Sequence, residues 1–295
     1  MTEISLIEVY RIVDSFFKYF EGNFLVEHFA RNYYGKRGFK RYLSMKDIIA
    51  LNIYRFFMQF LNLKAFHRFA NEYLKERYPN FPNYENFLKA TNKSFPMMML
   101  FVNSVLAKNR EKCAGETIHF IDSTPVEVCK NNKISRHKVA KDCASRGKST
   151  KGWFFGFKLH GVCTADMIVE SLTFTTGSVH DSKMAQKLTK DIIGKAFADA
   201  GYQLKSEVLS EMADDGVFMH NAPRKNMNRL ISKEQLDCLE QRNIIETVRS
   251  VMKGRFELVY TKARSLKGMF RHFFYSIAAF LISQSACRQK LFIPD

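Results

Sequence analysis

Cysteine is sparse and scattered in this 295-residue chain, at Cys113, Cys129, Cys143, Cys163, Cys238 and Cys287, and no two form a Cys-x-x-Cys pair. That spacing excludes a zinc ribbon and argues against a disulfide framework, so the thiols are expected to be free and structural. Long hydrophobic runs are also missing. The longest, Phe273 to Ile282, is about half of what a bilayer needs, and it reads as a core helix. No lipidation signal is present, and early Glu3 and Glu8 do not fit a signal-peptide pattern, so a cytoplasmic location without membrane contact is expected. Repeats and low-complexity tracts are absent. Acid is the scarcest commodity relative to its counterpart: 29 Asp and Glu stand against 46 Lys and Arg, for a net charge of +17. A surplus of that size favours a polyanionic partner, because neutralising phosphates releases counterions. With no anchor for lipid, nucleic acid is the polyanion expected.

Two textures divide the chain. Residues 1–112 read as an all-α region. Leu6, Val9, Tyr10, Val13, Phe16, Phe17 and Phe20 recur at helical spacing, and Gly22 can stop that helix. Ser44 and Asp47 form a capping box ahead of Ile48, Ile49, Ile53 and Phe56, and Pro79, Pro82 and Pro96 are expected to punctuate the helices that follow. Residues 113–295 change to short apolar runs separated by turns. Strands are expected near 117–127, 153–163, 168–176, 195–199 and 216–220, with helices near 183–192, 205–214, 233–253 and 264–288. A meander followed by alternating helix and strand implies an α/β domain with a mixed five-stranded sheet flanked by helices. Between the first two strands, residues 129–152 carry eight Lys or Arg and one Asp, with Arg146, Lys148 and Lys151 at the far end. Solvated charge is the plain reading of such a loop; its position beside an unusual aspartate favours contact with a nucleic-acid backbone.

That aspartate is Asp122, in Ile118-His119-Phe120-Ile121-Asp122-Ser123-Thr124. Asp199 stands alike at the end of Ala196-Phe197-Ala198. A carboxylate closing a buried strand costs several kcal/mol unless something pairs with it. Two converging carboxylates suit a hard divalent cation such as Mg²⁺ or Mn²⁺. A third acid, Glu246, lies in a stretch where Arg242, Arg249 and Lys253 share its helical face while Ile244, Ile245, Val248, Val251 and Met252 take the other. By itself this is an ordinary amphipathic helix with i,i+4 ion pairs. Following two strand-end acids, it reads as the third wall of a metal site. Phosphodiester chemistry needs such a site, since two ions about 3.5–4 Å apart activate the attacking oxygen and stabilise the leaving one.

These blocks resemble the DDE transposases of bacterial insertion sequences over roughly residues 115–285. Ile-Asp-Ser-Thr is similar to that family's first-strand motif, with Asp122 as its acid, and Ala-Asp-Ala-Gly-Tyr to its second, with Asp199. Arg242, Glu246 and Lys253 keep the intervals of the third motif, Tyr-(2)-Arg-(3)-Glu-(6)-Lys, although Leu239 fills the Tyr place. Gly156-Phe157-Lys158-Leu159-His160 and Gly177-Ser178-Val179-His180-Asp181-Ser182 look like the second strand and the turn after the third. The five stretches occur in the family's order, with successive acids 77 and 47 positions apart. The resemblance implies an RNase-H-like catalytic domain and an N-terminal DNA-binding region. It implies two magnesium or manganese ions held by Asp122, Asp199 and Glu246 as catalytic residues. Arg242, Lys253, Arg249, Lys148, Lys151 and Arg146 would contact DNA, both the element's terminal inverted repeats and its target, with a homodimer assembled there. A stand-alone nuclease of the same fold and a catalytically silent DNA-binding repressor remain as alternatives.

Other motifs carry less. Gly147-Lys148-Ser149-Thr150 resembles the end of a P-loop, but Asp142 stands where the upstream glycine belongs and no strand precedes it. His180 and Asp181 follow a turn signal and suit a helix N-cap better than a ligand role. His119 and His160 read as structural strand residues, His160 with a side toward the site. Trp153, Phe154, Phe155 and Phe157 offer stacking surfaces, half of which a strand would bury. Arg224, Lys225 and Arg229 form a second basic group.

Overall fold

The computed structural model describes residues 4–35, 42–223, 230–259, 261–286 and 292; Arg224, Lys225 and Arg229 lie outside the described residues. The chain forms two compact units, one of Met1–Val105 with Met252–Asp295 and the other of Leu106–Val251.

The first unit is helical: α1 (Leu6–Tyr19), α2 (Phe24–Tyr34), α3 (Met45–Phe57), α4 (Leu63–Tyr73) and α5 (Tyr84–Lys112), the last running on into the second unit. Capping boxes start α1 and α3: Ser5 with Glu8, and Ser44 with Asp47, each exchange side-chain and backbone hydrogen bonds. The apolar stripe of α1 buries Leu6, Val9, Val13 and Phe16. Pro96 does not punctuate a helix as expected; it lies inside α5. Proline removes one backbone hydrogen bond but holds a helical φ, and the burial of Met97, Met98, Phe101, Val102 and Val105 outweighs that loss. The C-terminal helix, Leu266–Ala286, belongs to this unit. Its stretch from Phe273 to Ile282 is a core segment: the Tyr275 hydroxyl lies 3.2 Å from Ser94 Oγ, Ser276 Oγ donates to Phe256 O at 2.7 Å, and the His272 ring meets Phe56 edge-on. No helix among the described residues is long and apolar enough to cross a membrane. Residues after Val251 thus cluster with the N-terminal helices.

The second unit is built on β1 (Ile118–Cys129), β2 (Ser145–Ser149), β3 (Gly152–Thr164), β4 (Val169–Thr176), β5 (Gly194–Ala198) and β6 (Val217–Asn221). These form one mixed sheet in the order β2-β3-β1-β5-β6, with β4 sharing the outer edge of β3. The sheet has six strands, not the expected five. The additional strand, β2, reads Ser-Arg-Gly-Lys-Ser and has no apolar alternation to announce it. It is held at the edge by pairing with residues 152–156, and by Gly147, where any side chain would collide with the Phe154 ring and the Gly177 carbonyl. Residues 129–152 are thus partly structured: a 3₁₀ turn at Asn131–Arg136, then this strand.

Helices α6 (Ala185–Thr189) and α7 (Ser206–Asp214) contribute to a core on one face, in which Ile121, Val162, Ala196, Ala198 and Val217 meet Met184, Leu188 and Met212. Phe120 and Phe197 pair on the opposite face, with His220 stacked on Phe197. Here Gln235 of α8 (Lys233–Gln241) hydrogen-bonds His220, and α9 (Asn243–Gly254) follows. The single helix expected over 233–253 is broken at Arg242, the C-cap of α8.

Candidate active site

Strands β1 and β5 run parallel, in register from Ile118 opposite Lys195 to Ile121 opposite Ala198. One step further, the same register sets Asp122 beside Asp199, on backbones about 4.8 Å apart. The alternation that buries Ile121 and Ala198 on one face turns Asp122 toward the face of Phe120. Asp122 lies within β1, which continues to Cys129, and Asp199 directly follows β5, so the two acids stand where the β1–β5 pairing stops.

From across that face, α9 reaches Asp122. The helix buries Ile245, Val248 and Met252 and leaves Glu246 half-exposed. Arg242 Nη1 donates to Asp122 Oδ2 at 2.8 Å, and Arg249 Nη2 lies 2.6 Å from the same oxygen. Arg249 Nη1 also donates to the Ser123 carbonyl, while Asp122 Oδ1 accepts from Ser123 N at 2.7 Å. Glu246 Oε1 lies 3.3 Å from Arg242 Nη2 and 3.8 Å from Arg249 Nη2. The two guanidiniums thus bridge Asp122 and Glu246. Asp199 takes Gly201 N on its Oδ1 at 2.9 Å, which closes the turn after β5.

Burial pushes the Asp122 carboxyl up to about 6, and the charge of Asp199 adds to the rise; Arg249, Arg242 and Ser123 N pull the other way without overcoming it. The competition is informative. Two arginines within 3 Å do not fully offset the removal of water. Tyr202, of the Ala-Asp-Ala-Gly-Tyr block, is buried nearby; burial and the charges of Asp181, Asp122 and Asp199 hold its hydroxyl far above the usual range. Its Oη and the Nε of Arg249 are buried without a hydrogen-bond partner.

A second polar group lies one strand over. Lys158 Nζ donates to Asp181 Oδ1 at 3.0 Å and to Val179 O at 2.9 Å, and His160 Nδ1 lies 3.7 Å from Asp181. Sequence reasoning missed Lys158, although a lysine in an otherwise apolar strand was the available signal. His160 is fully buried, its Nε2 at 2.8 Å from Thr175 Oγ1. His180 caps the short 3₁₀ helix at Asp181–Met184, accepting from Ser182 N. His119 pairs with Glu170 at 2.8 Å in the core. Burial opposes the charge on His119, but the Glu170 carboxylate together with the Ile193 and Glu116 carbonyls outweighs it and the net shift is upward.

The DNA-contact candidates divide. Arg146, Lys148 and Lys151 are exposed at the sheet edge, where Lys148 sits 5.9 Å over the exposed Trp153 ring. Phe154, Phe155 and Phe157 are buried. Arg242 and Arg249 are turned onto Asp122, and Lys253 lies in the last turn of α9. Among the described residues, no three His, Cys, Asp or Glu side chains are gathered as a ready set of metal ligands.

A family model described as Transposase DDE domain matches residues 112–266. No curated protein and no solved structure matches the chain. The matched segment spans just over half of the sequence and includes Asp122, Asp199 and Glu246, and on that ground the chain belongs to the Transposase DDE domain family.

Proposed function

We propose that this transposase cuts DNA at the ends of an insertion sequence and joins the freed 3′-hydroxyl to target DNA, in an RNase-H-like catalytic domain that uses Asp122, Asp199 and Glu246. The observation that carries the reading is the parallel register that sets Asp122 beside Asp199, opposite the helix bearing Glu246. The family works with divalent metal ions. Carboxylates without a thiol suit the hard kind, Mg²⁺ or Mn²⁺: Asp122 and Asp199 would hold it, and Glu246, paired here with Arg242 and Arg249, would be drawn in to complete the set. When bound, two such ions would polarise the scissile phosphate and lower the pKa of the attacking water or hydroxyl.

The chain's own residues do the rest. Asp122 holds its carboxylate within β1 and Asp199 directly after β5, and Glu246 completes the set from α9. Arg242 and Arg249 neutralise Asp122 and would exchange it for a phosphate oxygen, which a planar guanidinium binds with two parallel hydrogen bonds. Lys253 extends the same helix face. Arg146, Lys148 and Lys151 supply backbone contacts along the exposed sheet edge, and the N-terminal helices read the terminal inverted repeats. Because two ends must be joined, a homodimer assembles on DNA, in the cytoplasm.

An end-labelled terminal-repeat duplex incubated with Mg²⁺ and plasmid target tests this. Label joined to the plasmid supports transposition. Cleavage without joining points to the nuclease reading, and binding without cleavage points to the repressor.

A further inference from the structure

Within the first unit, a cavity of about 570 Å³ lies between α3, α4, the start of α5 and the C-terminal helix. Its walls carry Arg55, Lys64, Lys262, Arg264, Arg271 and His272, and no acidic side chain lines it. The arrangement is graded. Lys64, Lys262 and Arg264 are exposed at the mouth, whereas Arg55 is buried on the floor beside Arg271. Arg55 spends one nitrogen on the backbone carbonyls of Phe60 and Leu61, at 3.1 and 2.8 Å, and its buried Nε has no partner. Arg271 donates to Asn92 Oδ1, a neutral acceptor. Neither guanidinium meets a carboxylate. The charge of Glu257 acts on Arg55, but Glu257 is not part of the wall, and its backbone carbonyl is taken by His272.

Two helix N-termini open onto the same space. Asn62, Leu63 and Lys64 begin α4, and Ser265 and Gly268 begin the C-terminal helix; neither helix has an acid in its first turn. Helix N-termini attract negative charge, and an acid in the first turn is the usual internal answer. Here that answer is withheld twice, with the neutral caps Asn62 and Ser265 serving instead, around a buried and a half-buried guanidinium that repel each other. Burial, reinforced by the charge of Arg271, brings Arg55 down to about 9. A buried charge without a counter-charge is costly. An anion from outside supplies one.

We propose that this cavity is a phosphate-binding site whose occupant is a backbone phosphate of DNA, gripped by Arg55 and Arg271 on the floor and admitted past Lys64, Lys262 and Arg264. The site rests on the transposase reading for the identity of its DNA, and it is separate from the carboxylate site of the second unit.

Two measurements on the full chain test it. The first is the thermal midpoint in millimolar pyrophosphate against sodium chloride of equal ionic strength, for the wild type, Lys64→Gln/Arg264→Gln and Arg271→Gln. The second is fluorescence-anisotropy binding of a terminal-repeat duplex across a salt series. The mouth variant changes only exposed residues, so its folding is secure if Arg271→Gln fails to fold. Pyrophosphate should raise the wild-type midpoint and raise that of the variants less. DNA affinity should drop about ten-fold in the mouth variant, with the slope of log affinity against log salt reduced by about 2. Absence of a pyrophosphate effect in the wild type overturns the site. Loss of the pyrophosphate effect with unchanged DNA affinity overturns DNA as the occupant and leaves a free phosphate. The cavity experiments read pyrophosphate stabilisation and DNA affinity, neither of which requires cleavage, so a failed cleavage experiment and a failed cavity experiment are read separately.

Discussion

The two units should respond differently to acid, and His272 sets the response of the first. Its ring is buried in the C-terminal helix, with Nε2 donating to Glu257 O at 2.7 Å. Burial, with Arg55 beside it, lowers its pKa from 6.5 to about 3. The folded form therefore holds fewer protons than the unfolded chain between those values, so stability is lost as pH falls below 6.5 and the loss levels off near 3. At pH 5 the chain is about 1.5 units below the unfolded pKa, equivalent to about 2 kcal/mol. Asp122 works in the opposite sense: its carboxyl, raised to about 6, binds a proton more readily when folded and gains the second unit about 1 kcal/mol over the same interval. Separate probes distinguish them. The first unit holds most of the helix, so ellipticity at ~222 nm follows it, while Trp153, the only tryptophan, follows the second. Urea unfolding at pH 7.5 and 5.0 should show the ellipticity transition losing about 2 kcal/mol from this residue. His272→Gln, which keeps a donor for Glu257 O, should remove that part of the pH dependence. An equal pH-induced loss in wild type and variant would refute the reasoning.

Other substitutions test the sheet that positions the acids. Ile121→Ala empties a fully buried place between Asp122 and the core, and it should cost about 2–4 kcal/mol by urea unfolding followed at Trp153; a change below about 1 kcal/mol would show that β1 is not anchored there. Gly156→Ala drives a methyl into the Val126 carbonyl across the β1–β3 pairing, so expression in soluble form or the thermal midpoint should fall, and a neutral result would contradict that close approach. Glu170→Gln removes the counter-charge of His119. The expected loss is about 2 kcal/mol, greater at pH 6 than at pH 8 because His119 is then more often charged, and a pH-independent loss would mean the pair is not ionic.

Much of this was legible in the residues for physical reasons. Short apolar runs next to an acid and bounded by turn signals mark buried strands, so the strands beside Asp122 and Asp199 were readable. Ser44 and Asp47 announced α3 because a capping box is a local device. Features decided by distant partners were not readable. The Ser-Arg-Gly-Lys-Ser strand has no apolar face and exists only by pairing with β3. No glycine or proline marks the break at Arg242. The joining of Arg242 and Arg249 to Asp122 spans more than a hundred residues, so their sequence places suggested DNA contact without revealing the carboxylate they hold. The C-terminal helix was readable as a core element, but an apolar face does not name the surface it packs against.

The measurement closest to the centre of this account is Mg²⁺-dependent cleavage of an end-labelled terminal repeat by the wild type, Asp122→Asn, Asp199→Asn and Glu246→Gln, all shown to be folded by circular dichroism. Each variant should lose cleavage by on the order of a thousand-fold, as expected for removing a metal ligand, while retaining DNA binding. Wild-type cleavage by the Asp122→Asn variant would contradict the account.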